Sequence, residues 1–127
     1  MKKKILVIDD YPAIRQSFQL VLEKLDCTVE TAKTGEIGIE KFKKGDISLV
    51  FLDLKMPGMS GVEVLSKIRK ESKDVPIYIV TAFHNEYLSE LKEQEKKGFL
   101  FELLNKPVNR DSLLDVAKNF VDEPIKK

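Results

Sequence analysis

VFLDLKMPGMSG, residues 50–61, drives an apolar run straight into a carboxylate. Residues 49–52 show no polar alternation, which suits a strand buried on both faces of a parallel sheet. The run stops at Asp53, and Met56-Pro57-Gly58 then imposes a sharp turn. A buried charge is costly unless it is paired or used. The reason for Asp53 must therefore show in how the other strands end.

Five short apolar runs read as strands: 4–8, 28–32, 47–52, 77–80 and 99–104. Helical patterns lie between and after them. In 12–25, Ile14, Phe18, Val21, Leu22 and Leu25 recur at spacings of three and four, and Pro12 suits a first helical turn. Residues 36–43 turn Ile39 and Phe42 inward, with Gly38 costing that helix about 1 kcal/mol relative to Ala. Residues 61–70 put Val62, Leu65 and Ile68 on one side. Residues 86–96 are weakly amphipathic, with Tyr87, Leu88 and Leu91 among many charges. Asn109 caps a last helix whose inner face is Leu113, Ala117, Phe120 and Val121. This strict βα alternation predicts an α/β fold: a doubly wound, five-stranded parallel sheet with helices on both faces. Ligands bind such sheets beyond the carboxyl ends of the strands.

Those ends are informative. The first strand ends in Asp9-Asp10, the third in Asp53, the fourth in Thr81-Ala82 and the fifth in Asn105-Lys106-Pro107. Only the second ends blandly, in Ala32-Lys33. Each signal alone has an ordinary explanation: a turn, a cap, a strand-end hydroxyl, a loop. Together they bring three carboxylates, a hydroxyl and an ammonium to one rim. Three clustered carboxylates repel unless a cation joins them, and oxygen ligands without His or Cys suit Mg²⁺.

The 127 residues fit one domain, expected over 1–122 with a short tail over 123–127. Hydrophobic residues make up 43% and charged residues 34%, enough for both a core and a solvated surface. With 22 basic and 21 acidic side chains, nothing marks a nucleic-acid or membrane-surface binder. The apolar run after MKKK is too short and too soon charged for a signal peptide or a membrane span, so the cytoplasm is the expected location. Cys27, the single cysteine, reads as a buried thiol.

VIDD (7–10), Asp53 with LKMPGMSG (54–61), VTA (80–82) and NKP (105–107) together resemble the receiver domain of two-component response regulators, over nearly the whole chain. The likeness is greatest to single-domain phosphorelay types. The resemblance implies a flavodoxin-like (βα)5 receiver fold with strand order 2-1-3-4-5. It implies Asp53 as phosphoacceptor, Thr81 as switch hydroxyl and Lys106 as the phosphate-pairing lysine. For Mg²⁺ it implies Asp10 and Asp53 as direct ligands, Asp9 through water, and the Lys55 carbonyl. It also implies a cis Lys106–Pro107 bond. The expected function is acceptance of a phosphoryl group from a histidine kinase or phosphotransfer protein. Output would be by contact with an effector protein or by onward relay, from a monomer that could dimerise when phosphorylated. Such a protein is not an enzyme on another substrate; it catalyses its own phosphorylation and dephosphorylation.

Three alternatives share parts of the pattern. A metal-dependent phosphohydrolase would need an acid at Lys55. A flavin or nucleotide module would need a phosphate loop where Asp10-Tyr11-Pro12 stands. A degenerate receiver would serve only for docking, yet here every acidic and switch residue is present. The chain also departs from the family pattern. Leu103 stands where an aromatic switch residue is usual, and Val108 where phenylalanine is common. The spacing from Gly98 to Lys106 is one residue long, so a bulge or a shifted start is expected in the fifth strand. His84 reads as an exposed loop residue.

Overall fold

The computed structural model describes residues 3–82 and 84–120, apart from the His84 side chain. Five strands alternate with five helices: β1 (Lys3–Ile8), α1 (Pro12–Leu22), β2 (Cys27–Ala32), α2 (Gly35–Lys43), β3 (Ile47–Leu52), α3 (Gly61–Glu71), β4 (Ile77–Thr81), α4 (Leu88–Lys96), β5 (Glu102–Asn105) and α5 (Arg110–Lys118). A 3₁₀ turn, His84–Tyr87, precedes α4. All strands pair in parallel, in the order β2-β1-β3-β4-β5. Val121, the tail and the exposure of His84 lie outside the described residues.

The unbroken apolar runs are explained by two cores, one on each face of the sheet. Successive side chains of a strand point to opposite faces. Leu6, Ile8, Val50, Leu52, Ile77 and Ile79 go to the α2–α3–α4 side, packing on Val64, Leu65, Ile68 and Leu91. Ile5, Val7, Leu49, Phe51 and Val80 go to the α1–α5 side, packing on Phe18, Leu22, Leu113 and Ala117. The Phe18 ring meets the Phe51 ring edge-on, centroids 5.4 Å apart. Gly38 in α2 has a packing reason: a Cβ there would lie 2.5 Å from Ile8 Cδ1. Cys27 is buried, its thiol directed at the Leu22 carbonyl, 3.4 Å away.

Most boundaries agree with the sequence reading to within a residue, and α1, α4 and β5 depart from it further. α1 ends at Leu22, although Leu25 beyond it is still buried. α4 starts two residues late, because no side chain caps its first turn. β5 starts at Glu102, not 99, and pairs with β4 without a slip from Tyr78–Glu102 to Thr81–Asn105. The extra residue is absorbed ahead of the strand, where Arg69 of α3 reaches across. Its Nε and Nη2 donate to the Leu100 carbonyl at 2.9 and 2.7 Å, and Nη1 donates to Val75 O at 2.7 Å. The register shift in the sheet falls between β1 and β3, at Lys4/Ile5. No helix among the described residues is long and apolar enough to cross a membrane.

Candidate functional site

The carboxyl ends of β1, β3, β4 and β5 form one rim, and the sheet ladder continues into it. Asp9 N–H donates to Ala32 O at 3.0 Å, Asp53 N–H to Ile8 O at 2.9 Å and Lys106 N–H to Thr81 O at 3.1 Å. Three of the predicted residues thus sit on backbone fixed to a neighbouring strand, which limits how far their side chains can stray. Thr81, wholly buried, closes β4 opposite Asn105. The Lys106–Pro107 bond is cis.

Asp9, Asp10 and Asp53 each offer an oxygen within 4.8 Å of the others. Asp9 and Asp53 are buried and Asp10 is half-buried. Lys106 enters between two of the acids and offsets part of their repulsion. Its Nζ lies 3.1 Å from Asp9 Oδ2 and 3.3 Å from Asp53 Oδ1. The other Asp9 oxygen, Oδ1, accepts the Tyr11 N–H at 3.0 Å. Burial, then the charge of Asp9, push the Asp53 carboxyl up from 3.8 to about 6 against the pull of Lys106. Burial works against the Lys106 charge, but Asp53 and Asp9 outweigh it and hold the ammonium above its ordinary pKa.

The turn after Asp53 is built from close backbone approach. Gly61 N–H donates to Leu54 O at 2.8 Å. A Cβ on Gly61 would collide with Asp53 O and come within 2.7 Å of Leu54 Cα, so only glycine fits. Ser60 then caps α3 in a reciprocal box with Glu63, at 3.3 and 3.0 Å. The opening stretch is therefore a strand, an acid and a hairpin-tight return to a capped helix.

Two side-chain contacts escape the sequence reading, which uses Lys55 only for its carbonyl. Arg15, at the close of the first turn of α1, donates from Nη1 to Asp9 O at 2.8 Å and secures the end of β1. Lys55 turns its ammonium toward Glu86 of the 3₁₀ turn, 3.6 Å away. Neither residue has a signature beyond its charge, since both partners come from elsewhere in the fold.

A rim of this kind can hold a divalent cation by hard oxygens and seat a dianionic group between that cation and Lys106. Comparison with known proteins gives the same direction. The response regulator receiver domain, as a sequence family, matches residues 5–118. The cell cycle response regulator CtrA of Brucella abortus is 33% identical over 114 residues, which is 87% of this chain and 47% of that protein. The chain spans about a third to a half of the length of the curated relatives it matches. A CheY-like receiver domain protein from Methanospirillum hungatei superposes with TM-score 0.83 at 31% identity, covering 94% of this chain and 93% of that one. The response regulator TrrA from Thermotoga maritima, solved with Mg²⁺ and BeF, superposes with TM-score 0.79 at 38% identity, covering 93% and 98%. The chain belongs to the response regulator receiver domain family, the phosphoryl-accepting module of two-component signalling.

Proposed function

We propose that Asp53 is the phosphoacceptor, with Lys106 and Thr81 as its partners. One observation supports this most: Lys106 Nζ bridges Asp53 and Asp9 at the end of a rigid strand pair. A carboxylate attacks phosphorus well only when ionised, and a carboxyl titrating near 6 is ionised at neutral pH while retaining more basicity than a free aspartate. In the forward step an Asp53 oxygen bonds to phosphorus and the P–N bond of a phosphohistidine breaks. The electron pair leaves with the imidazole nitrogen, which takes up a proton. Lys106 pairs with a phosphoryl oxygen, and the Thr81 hydroxyl donates to another as it draws in. In the later hydrolysis, water attacks phosphorus and the P–O bond to Asp53 breaks, giving phosphate, which keeps the oxygen and a proton of the water, and the free carboxylate.

The donor set suits Mg²⁺. Lys106 and the Tyr11 N–H occupy both oxygens of Asp9, which favours a water-mediated role for Asp9. Asp10 and the second oxygen of Asp53 would ligate directly, with the Lys55 carbonyl completing the protein ligands. Bound there, the cation neutralises charge on the transferring phosphoryl oxygens.

The phosphodonor would be a sensor kinase or histidine phosphotransfer protein in the cytoplasm. It would approach over α1, where an apolar groove of about 400 Å³, lined by Ile14, Phe18, Val80, Ala82, Pro107 and Val108, adjoins Lys106. Acetyl phosphate with Mg²⁺ is expected to add one phosphoryl mass, and Asp53→Ala to abolish the gain. Undiminished labelling of Asp53→Ala would refute the assignment. No labelling of the wild type would leave a docking-only receiver.

A further inference from the structure

We infer that Lys55 is a positioning residue: through Glu86 it holds the start of α4 in place, and it releases that start when Asp53 is phosphorylated. The inference rests on Asp53 being the phosphoacceptor.

The two ends of α4 are held very differently. At the carboxyl end the Phe99 N–H donates to Gln94 O at 3.0 Å and the Gly98 N–H to Glu95 O at 2.9 Å, with Gly98 at φ +82°. This double closure fixes that end. At the amino end Tyr87 offers no side-chain cap, and a 3₁₀ turn takes the place of a helical one. Among the described residues α4 buries only Leu91 and Gln94, while Leu88 is 44% exposed. Gln94 Oε1 is buried and has no hydrogen-bond partner among the described residues. The helix is thus hinged at its far end and lightly held at its near end.

Besides the packing of Tyr87 against the core, the near end is tied by the ion pair of Lys55 Nζ with Glu86 Oε1, 3.6 Å. Other ion pairs serve different places: Lys96–Glu93 lies within α4, and the half-buried Lys41–Glu30 joins α2 to β2. Lys55–Glu86 joins the loop after β3 to the loop after β4, the two segments that leave the rim beside Asp53. Lys55 stands two residues past Asp53, at most about 7 Å along the backbone, and carries its charge on a flexible four-carbon stem. A phosphoryl group on Asp53 would bring close to two negative charges within that reach, against the single charge of Glu86. Lys55 would then turn from Glu86 to the phosphoryl group, and the uncapped end of α4 would lose its tie. Leu103, 42% exposed on β5, offers no aromatic ring to carry the change by another route.

Hydrogen exchange over residues 85–91, with and without beryllofluoride and Mg²⁺, tests this in wild type, Glu86→Gln and the double variant Lys55→Gln/Glu86→Gln. Wild type is expected to exchange faster there when beryllofluoride is bound. Free Glu86→Gln is expected to exchange two- to fivefold faster than free wild type, the size expected of an exposed ion pair, and to change little on binding. By linkage its beryllofluoride affinity rises by the same factor. Lys55→Gln/Glu86→Gln should match Glu86→Gln in free exchange rather than exceed it. If Glu86→Gln speeds exchange equally in both states, leaving the wild-type difference intact, the pair is only a brace and the inference is overturned. It is also overturned if beryllofluoride binds wild type, by native mass, without altering 85–91. Failure of beryllofluoride to bind at all would instead remove the phosphoacceptor reading, and this one with it.

Discussion

Asp53→Asn is the perturbation whose sign is least intuitive, because it removes the central acid and is expected to stabilise the metal-free protein. Asp53 is only 5% exposed, and its carboxyl is raised from 3.8 to about 6. A raised folded-state pKa means the fold prefers the protonated form. Below about pH 3.8 the carboxyl is protonated in both folded and unfolded chains, so its charge costs nothing. Between about 3.8 and 6 the unfolded chain ionises first, and the stability of the wild type falls as pH rises. Above about 6 the cost is complete. Two pH units correspond to about 3 kcal/mol. Asparagine keeps the shape and loses the charge, and Lys106 keeps Asp9 as its partner. Allowing for the lost Lys106–Asp53 contact, the expected gain at pH 8 is about 1–3 kcal/mol, or about 4–12 °C in Tm.

The assay is urea unfolding in EDTA at pH 8 and again near pH 4. The gain is expected at pH 8 and is expected to shrink toward zero near pH 4. Adding Mg²⁺ at pH 8 should also shrink it, since a cation at a hundred times its Kd stabilises the wild type by about 2.7 kcal/mol while the variant has lost a ligand. A gain of equal size at both pH values would mean that packing, not charge, sets the difference. A loss of stability at pH 8 would refute the electrostatic reading of the site outright.

Four further outcomes follow from other parts of the rim and its supports. Asp10→Asn is expected to weaken Mg²⁺ binding at least tenfold by calorimetry with little change in Tm, since Asp10 is half-buried; unchanged affinity would place the cation elsewhere. Gly61→Ala forces a Cβ into Asp53 O and Leu54 Cα, and is expected to cost about 1–3 kcal/mol and to slow phosphorylation by acetyl phosphate in the surviving fold. Arg69→Met leaves the Leu100 and Val75 carbonyls without their charged donor; a loss of about 2–3 kcal/mol in urea unfolding is expected, with faster exchange over 99–102. Gln94→Leu removes the orphaned amide oxygen of α4 and is expected to raise stability by about 1–2 kcal/mol, and a drop instead would show that the amide has a partner in solution.

How much of this was legible in the sequence depends on how far apart in the chain the deciding groups lie. Strands packed on both faces must be apolar throughout, so 47–52 and 77–80 showed themselves without help, and their chemistry-bearing ends showed with them. The glycine at 61 was visible as a letter, but its reason, the lack of room for a Cβ against Asp53 O and Leu54 Cα, was not. At β5 the apolar letters misled. Phe99, Leu100 and Phe101 have strand propensity, yet Arg69, some 31 residues earlier, takes the Leu100 carbonyl that a ladder would otherwise use. A single long-range donor therefore outweighs three favourable local residues, as tertiary context does wherever propensity differences are small. The same holds for the charges. Clustered acids at strand ends predict a cation, but which cation meets them in the metal-free fold is settled by Lys106, brought from across the sheet to lie between Asp9 and Asp53. In the proposed function, the lysine that bridges two acids in the resting state is also the group that pairs with a phosphoryl oxygen. On that proposal a phosphoryl oxygen that recruits Lys106 loosens its hold on Asp9, while a bound cation competes with it for the same acids, so phosphorylation and cation binding would both reach the end of β1 through one ammonium group.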